Sequence, residues 1–304
     1  MSFRGASSQG TSLPLAYLLF GATILIWGTN WPIMKVGLTF IPPFWFAFLR
    51  VGLGCLTLFT ALLVTGRLRW PARGDLPVVF SVGWLQIAAF LVIINLAVPA
   101  VGAGRSSILA YTTPLWVVPG AILFLGERLL KLKFLGLLFG MLGIVILFNP
   151  LAFDWADPAQ RQGNLLLMLA ALAWAAAILH IRSRRWLGSP LELAPWQLLV
   201  ALPPLLLGAL LLDPPWTPPL RGDVALILLH NGVLATGFAY WAAFTVTRSL
   251  PAISTSLGFL GVPLVGVASA ALALGEPVTA SVVAGLLAIL LGVALVNFAD
   301  LKRR

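Results

Sequence analysis

The residues of this chain that could do chemistry are the few polar and titratable side chains inside its long apolar stretches. Arg50 is the one strong charge clearly inside such a stretch, where a guanidinium can draw in a carboxylate. His230 lies near the middle of another stretch, and histidine titrates close to neutrality, as a proton carrier must. These two residues indicate ion binding and proton movement within an apolar surrounding.

Aromatic and hydrogen-bonding residues at a similar depth extend this set. Together they predict an aromatic cleft with a few polar groups, which is typical of a small-molecule site. The candidate substrate-binding residues are Trp27, Asn30, Arg50, Trp84, Gln86, Tyr111, Trp174, His230, Tyr240 and Ser256.

A structural interpretation stays open beside each of these assignments. The tryptophans are equally suited to ordinary helix packing, and Arg50 to a tie between its own stretch and the end of the first one near Asn30. His230 fits a neutral imidazole that is hydrogen-bonded between helices. Lys35 lies at the end of a stretch, where a solvated anchor is expected.

The elements that must position these residues are membrane-spanning helices. The chain is 60% hydrophobic and 9% charged, whereas soluble domains carry about 25% charged residues. A helix needs about 20 largely apolar residues to cross a bilayer, and the sequence has ten such segments. They cover roughly residues 14–34, 42–64, 76–98, 102–125, 131–149, 163–183, 192–212, 223–246, 252–275 and 279–298. We therefore predict an all-α integral membrane protein with ten transmembrane helices.

Basic residues in the short loops predict the orientation. With the N-terminus inside, fourteen lysines and arginines fall on the cytoplasmic side, and Lys35, Arg105, Arg161 and Arg221 fall outside. Both termini are expected in the cytoplasm, in a multi-pass protein of the bacterial inner membrane. The first ten residues are polar, so the first span is expected to be a retained helix. Anionic membrane lipids account for the net charge of +10 without nucleic acid as a partner.

An internal repeat predicts how the ten spans are arranged. Residues 107–147 recur at an offset of 149, and five positions keep their residue type. These are Pro114, Gly126, Glu127, Gly136 and Gly143, matched by Pro263, Gly275, Glu276, Gly285 and Gly292. Each copy closes a half with five spans, and an odd number of spans makes the second half enter the membrane upside down. We predict two inverted five-helix repeats, residues 1–149 and 150–304, as in many secondary transporters.

The repeated prolines predict a pair of hinges. A proline inside a helix lacks an N–H and frees the carbonyl one turn earlier, here those of Ala110 and Phe259. Pro114 and Pro263 would then kink spans four and nine beside a shared cavity. A kink that is satisfied locally and only shapes the packing is the alternative.

The repeated glutamates and glycines favour structural roles. Glu127 and Glu276 end their spans on opposite sides, where each is expected to accept N–H bonds at the start of the following span. The glycines of spans five and ten give smooth faces for close helix contact. That contact lies either inside one molecule or between two copies, so a homo-oligomer stays an alternative.

The sequence does not indicate an enzyme. It places no aspartate inside a span and no two histidines at ligand spacing on one helix, and Cys55 is its only cysteine. No phosphate-binding loop of the GxxxxGK[ST] type occurs, which excludes a built-in ATP motor. We expect no metal site, no cofactor and no catalytic residue. An integral-membrane enzyme acting on lipid or prenyl substrates is therefore a poor alternative.

The residues named so far resemble the EamA family of the drug/metabolite transporter superfamily. The resemblance covers nearly the whole chain, and it implies ten helices in two inverted repeats and export of small metabolites, often amino acids or their derivatives. Pro277 departs from the pattern, because the first half has Arg128 there. The matching segments are residues 27–31, 35–38, 42–43 with Arg50, 114–128 and 263–277.

The prediction for function is a secondary transporter, most simply an exporter, that works by alternating access across the inner membrane. A small-molecule substrate and membrane lipids are its expected partners. A lipid or lipid-linked flippase of the same fold is the alternative, since long acyl tails would require a groove that opens sideways.

Overall fold

The computed structural model describes residues 12–126, 130–147, 156–217, 221–250 and 258–301, which form helices and short connections without strands. We number the helices α1 to α10. They are α1 (Leu13–Gly37), α2 (Pro43–Val64), α3 (Leu76–Ser81, Val82–Ala89 and Phe90–Val101), α4a (Ala103–Ala110), α4b (Thr113–Leu125), α5 (Lys131–Leu147), α6 (Pro158–Ser183), α7 (Pro190–Leu211), α8 (Gly222–Leu229, His230–Phe238 and Ala239–Ser249), α9 (Gly261–Leu274) and α10 (Ala280–Leu301).

Local sequence signals set where these helices begin and end. Ser189 and Glu192 form a reciprocal capping box at the start of α7, and Asp157 caps the start of α6. Gly126 and Gly275 end α4b and α9 with the same left-handed conformation, φ 65° and ψ 22°, which favours glycine. The repeat seen in the sequence is therefore also a repeat of local backbone geometry.

The outer surface of the bundle is that of a membrane protein. Seven helices of the described residues are long and apolar enough to cross a bilayer, and Gly261–Leu274 and Ala280–Val296 are shorter apolar helices. Large side chains such as Leu272, Phe124 and Leu187 are almost fully exposed. Such a surface is costly in water but matches hydrocarbon chains.

Helices α3 and α8 each contain a π-helical turn in their middle. The two segments, Val82–Ala89 and His230–Phe238, lie at the repeat offset of 149 residues. A π-turn widens the helix and shifts its hydrogen-bond ladder, which leaves backbone groups for side chains to satisfy. Thr236 Oγ1 donates across the wider turn to the carbonyl of Asn231 at 2.7 Å. The two equivalent helices are thus irregular in the same place.

The two halves pack on each other reciprocally. The π-segment of α8 crosses α2 at Gly232, where an added Cβ would lie 2.4 Å from Leu53. The π-segment of α3 crosses α7 at Gly83, where an added Cβ would lie 2.4 Å from Val200. Helix α4b likewise packs on α6, and its counterpart α9 packs on α1. These contacts come in equivalent pairs: the contact of α2 with α8 is matched by that of α7 with α3, and the contact of α4b with α6 by that of α9 with α1.

Helices α5 and α10 meet along their glycine faces. A Cβ at Gly136 would lie 2.6 Å from the carbonyl oxygen of Gly292, and one at Gly143 would lie 2.8 Å from that of Gly285. Small residues allow such close backbone approach, which replaces the hydrophobic driving force that helices lack in lipid. Of the two contacts that the sequence leaves open for these faces, the structure shows the one inside a single molecule.

The two repeated prolines lie in the first turns of described helices, and their role as hinges stays a prediction. Helix α4a ends at Ala110, and Pro114 is the second residue of α4b. Pro263 is the third residue of α9. The carbonyl of Ala110 accepts from Thr113 Oγ1 at 3.1 Å, and that of Phe259 accepts from the N–H of Val262 at 3.1 Å. A proline in the first turn of a helix breaks no helical hydrogen bond, because N–H groups there have no acceptor within the helix. The backbone around both prolines is therefore satisfied locally.

Candidate functional site

A cavity of about 400 Å³ lies where helices from both halves converge. Its volume falls within the range of small-molecule sites, about 300–1,000 Å³. The lining is mostly apolar and rich in aromatic rings, and its polar groups come from α1, α2, α3, α8 and the junction of α4a with α4b. The lining residues that the argument uses are Trp27, Asn30, Met34, Arg50, Gln86, Phe90, Tyr111, Pro114, Trp174, Ala235, Tyr240 and Phe259.

Trp27 holds one aromatic wall of the cavity together. Its indole N–H donates to the carbonyl of Ala235 at 3.0 Å, a group in the widened turn of α8. Its ring lies 5.6 Å from Phe259 and 6.1 Å, edge to face, from Tyr240. On the other side Phe90 and Trp174 are in edge-to-face contact at 4.5 Å. These ring pairs are of the stabilising kind, so the wall is preformed.

Arg50 brings a positive charge into the cavity. The side chain is 6% exposed, and its Nη2 donates to Thr236 Oγ1 at 3.4 Å while Nη1 lies 3.8 Å from Met34 Sδ. Its Nε is buried and has no hydrogen-bond partner. Two neutral, long contacts compensate little of the desolvation of a guanidinium, which costs several kcal/mol. The charge is held in place but not neutralised by them.

Asn30 adds a side-chain amide to the lining of the same cavity. The side chain is 8% exposed, and its Oδ1 is buried without a hydrogen-bond partner. A buried acceptor that lacks a partner costs about 1–3 kcal/mol. Two fully buried atoms of residues that line the cavity, the donor Arg50 Nε and the acceptor Asn30 Oδ1, therefore have no hydrogen-bond partner among the described residues.

Acidic side chains in the described part of the chain are occupied at helix ends. Asp75 accepts the N–H groups of Leu187 and Gly188, and Asp213 those of Phe44 and Trp45. The remaining acids whose side chains the structure describes are Asp157 and Glu192 in helix caps, Asp223 with Arg221, and Glu276 with Lys35. Within these residues no carboxylate lines the cavity or faces Arg50.

Most of the residues suggested by the sequence line this one cavity. They are Trp27, Asn30, Arg50, Gln86, Tyr111, Trp174, Tyr240 and Pro114. Tyr111 stands at the break between α4a and α4b, which turns it inward. Their contact with a substrate stays a prediction.

Three other candidates lie away from the cavity lining, and a fourth lies outside the described residues. Trp84 is 52% exposed on the bundle surface, where its indole N–H donates to the carbonyl of Val200 at 3.0 Å. His230 lies in the π-segment of α8 outside the lining, with a buried and unpartnered Nδ1. Pro263 is buried in α9, and Ser256 lies outside the described residues.

Among the residues that the sequence analysis did not predict are three that line the cavity, Met34, Phe90 and Phe259, and one that contacts Arg50, Thr236. Met34 lies one helical turn after Asn30, and Phe90 one turn after Gln86. Both could have been predicted, because residues one turn apart share a helix face. Phe259 lies next to Trp27 in the folded structure but far from it in the sequence, so spacing along the chain could not indicate it. Thr236 reaches Arg50 because of the π-turn, for which the sequence has no recognisable signal.

A second polar cluster consists of Lys35, Ala103, Gly104 and Glu276. The Glu276 carboxylate pairs with Lys35 Nζ at 2.6 Å and accepts the N–H groups of Ala103 and Gly104 at 2.8 and 2.9 Å. For Glu276 the expected partner, the start of α10, is therefore wrong, because the N–H groups belong to α4a in the other half. Glu127 lies outside the described residues. The expectation that Lys35 is a solvated anchor is wrong too.

Burial alone raises the pKa of Glu276, but the hydrogen bonds from Lys35, Gly104 and Ala103 outweigh it and leave the pKa below its ordinary value of 4.5. The carboxylate is thus charged at neutral pH. Gly102 suits this contact in two ways. Its φ of 94° is in the region that favours glycine, and an added Cβ would lie only 3.1 Å from the Glu276 carboxylate.

Comparison with known proteins gives a consistent result. The model of the EamA-like transporter family matches residues 14–149 and 161–298. The chain is 26% identical to the uncharacterized transporter YoaV of Bacillus subtilis (strain 168), over 92% of this chain and 96% of that one. It is 29% identical to a "Probable amino-acid metabolite efflux pump" of Salmonella typhimurium (strain LT2), over 92% and 94%. A crystal structure with 22% identity superposes with a TM-score of 0.66, covering 96% of this chain and all of that one, which shows a shared fold.

Proposed function

The chain belongs to the EamA-like transporter family, and from that premise we propose a secondary transporter that exports small metabolites, such as amino acids or their derivatives, by alternating access. Membership makes it a multi-pass membrane transporter. The direction, the cargo and the mechanism are our inference.

The observation that carries this proposal is the central cavity itself. It is lined by both halves of the chain, and it combines a largely apolar, aromatic-rich wall with the buried polar side chains of Arg50 and Asn30, each of which has a buried atom without a partner. Polar groups inside a membrane protein are costly, and their usual place is a substrate path. A cavity of this size accommodates a small metabolite rather than the acyl chains of a lipid, so we favour a metabolite over a flippase substrate.

We further propose that the two halves are inverted repeats of five transmembrane helices each, residues 1–149 and 150–304, in the bacterial inner membrane with both termini in the cytoplasm. The repeated glycine caps, the matched π-segments and the reciprocal packing support a twofold relation between the halves. Pro114 and Pro263 then mark the ends of the segments that move, and the residues lining the cavity contact the substrate.

The orientation can be tested with single cysteines. In a Cys55→Ala background, a cysteine at Arg128 and one at Pro277, which are equivalent positions, are labelled in intact cells with a membrane-impermeant maleimide. Labelling of the second and protection of the first are expected. Labelling of both from the same side would contradict the inverted arrangement.

Transport can be tested by counterflow in proteoliposomes. Vesicles loaded with an unlabelled metabolite should accumulate the labelled form from outside without ATP. Ala110→Phe, which fills the cavity, should abolish this exchange, whereas Leu272→Phe on the exposed surface should not. The proposal is refuted if a broad panel of amino acids, their derivatives and other metabolites shows no exchange above that of protein-free vesicles.

A further inference from the structure

The charge of Arg50 demands a negative partner that the described part of the chain does not supply. The guanidinium is 94% buried by area, makes two long contacts to neutral groups and leaves Nε unpaired. The described acids are all engaged at helix ends. A ligand carboxylate would restore neutrality in a place where an isolated charge is costly.

The side chain of Asn30 limits which chemical group the ligand can carry at its other end. Its Oδ1 is buried without a hydrogen-bond partner, and an N–H or O–H group of a bound molecule would supply one. A charged ammonium would fill that place poorly, because the described lining offers no carboxylate to balance it and Arg50 repels it. A zwitterion beside Arg50 leaves the site with a net charge of +1, whereas a monoanion leaves it neutral.

We propose that the cargo is a small monocarboxylate whose nitrogen is acylated or otherwise uncharged, and whose body is apolar. The carboxylate binds Arg50, an uncharged N–H or O–H donates to Asn30, and the body packs between Trp27, Phe259 and the Phe90–Trp174 pair. This inference rests on the proposed transport function and specifies its substrate class.

Four compounds on one scaffold separate the two charges of an amino acid. N-acetylphenylalanine is an anion, phenylalanine a zwitterion, phenylalaninamide a cation and N-acetylphenylalaninamide neutral. Each is used as a competitor against labelled N-acetylphenylalanine in proteoliposome counterflow. We expect the anion to compete at least tenfold better than the other three. Equal or better competition by any of them overturns the inference.

Variants of the two polar residues test the assignment of each end. Arg50→Met should reduce the advantage of N-acetylphenylalanine over its amide to about twofold or less, and Arg50→Lys should keep part of it. Asn30→Asp, of the same shape, should lower competition by the anion at least tenfold relative to phenylalanine. Should Arg50→Met not fold, Arg50→Lys and Asn30→Asp carry the test. If Arg50→Lys and Asn30→Asp both keep the natural protein's preference for the anion, the inference is overturned.

The result also separates the two proposals. If other metabolites exchange but the acylated anion has no advantage, the substrate class is wrong and the transport function stands. If no compound of the set or of a wider metabolite panel exchanges, both are wrong.

Discussion

At the scale of single residues, the role proposed for Arg50 depends on neighbours that hold the guanidinium without neutralising its charge. Met34 and Thr236 fix the direction of the guanidinium, and neither carries charge. An aspartate at either position would have stabilised the empty site at the expense of its use, since the substrate would then compete with an internal carboxylate. For the proposed role, the site is prepared by the absence of an acidic partner for Arg50 among the described residues.

Thr236 should act as a positioning residue for Arg50. Replacing it with valine keeps the shape but removes the hydroxyl that accepts from Nη2. Loss of one such hydrogen bond to a charged group weakens binding by about 1–2 kcal/mol, or roughly five- to thirtyfold. Competition by N-acetylphenylalanine in counterflow measures this loss.

Thr236→Ser, which keeps the hydroxyl, is the control and should stay within about twofold of the natural protein. The loss in the valine variant should also be larger for the carboxylate than for N-acetylphenylalaninamide. An equal loss for both compounds would mean that Thr236 only supports packing against Gly54, which its methyl group contacts closely.

The charge of Glu276 should stabilise the fold over a defined pH range. Because its folded pKa lies below the ordinary value of 4.5, the contribution is complete above that value and is lost as the pH falls through the folded pKa. Glu276→Gln should lower the free energy of unfolding by about 1–2 kcal/mol at neutral pH, after allowance for partial exposure of the pair.

Thermal unfolding in detergent between pH 7 and pH 3 can check this. The gap between the natural protein and Glu276→Gln should be constant down to about pH 5 and close below pH 4.5. A gap that closes near pH 7 instead would show that Glu276 titrates in the physiological range, as a coupling carboxylate would.

These residue contacts differ in how far the sequence could predict them. Trp27 and Asn30 share a helix and a depth, so spacing alone brings them to one site. The partner of Glu276 could not be predicted, because α4a lies more than 160 positions away in the other half. Its strongest sequence signal, the turn before α10, indicates a local bond that the fold does not make.

At the scale of helices, irregular segments place the binding groups. The break after Ala110 turns Tyr111 inward, and the π-turn of α8 supplies the Ala235 carbonyl to Trp27 and the Thr236 hydroxyl to Arg50. Regular helices would hide these backbone and hydroxyl groups in their own ladders. The prolines indicate the breaks, but no residue pattern that we recognise indicates the π-turns.

The seam between α5 and α10 should be the least tolerant of added volume. Gly143→Ala places a Cβ 2.8 Å from the Gly285 carbonyl oxygen and 2.6 Å from Ile289, so backbone must shift. Overpacking of this kind costs about 1–3 kcal/mol. Gly21→Ala in α1, where nothing lies within 4 Å, is the matched control and should be neutral or slightly stabilising.

Thermal unfolding of the two alanine variants in the same detergent measures the difference. A midpoint for Gly143→Ala equal to or above that of Gly21→Ala would mean that the two helices do not meet through these glycines.

At the scale of the whole molecule, composition and repeat predict the helical bundle and its two halves, and family membership agrees with them. Hydropathy works well here because an unsatisfied backbone is excluded from hydrocarbon, so long apolar segments have few options other than helices. The sequence could not predict how the halves interlock. That depends on which glycine faces meet and on the π-segments that cross α2 and α7.

The charge of the proposed cargo makes a final prediction about the driving force of export. If an acylated monoanion crosses alone, each cycle moves one negative charge, and an inside-negative potential drives it outward. A potential of 100 mV is worth about 2.3 kcal/mol per charge, or roughly a fiftyfold concentration ratio across the membrane at equilibrium.

In proteoliposomes with a potassium diffusion potential set by valinomycin, N-acetylphenylalanine should approach this ratio. The distribution of the neutral N-acetylphenylalaninamide should not respond to the potential. His230→Gln should leave the ratio unchanged, since His230 lies outside the cavity lining. A ratio that follows an imposed pH gradient at constant potential, and loses this dependence in His230→Gln, would instead assign the coupling to protons carried by that histidine.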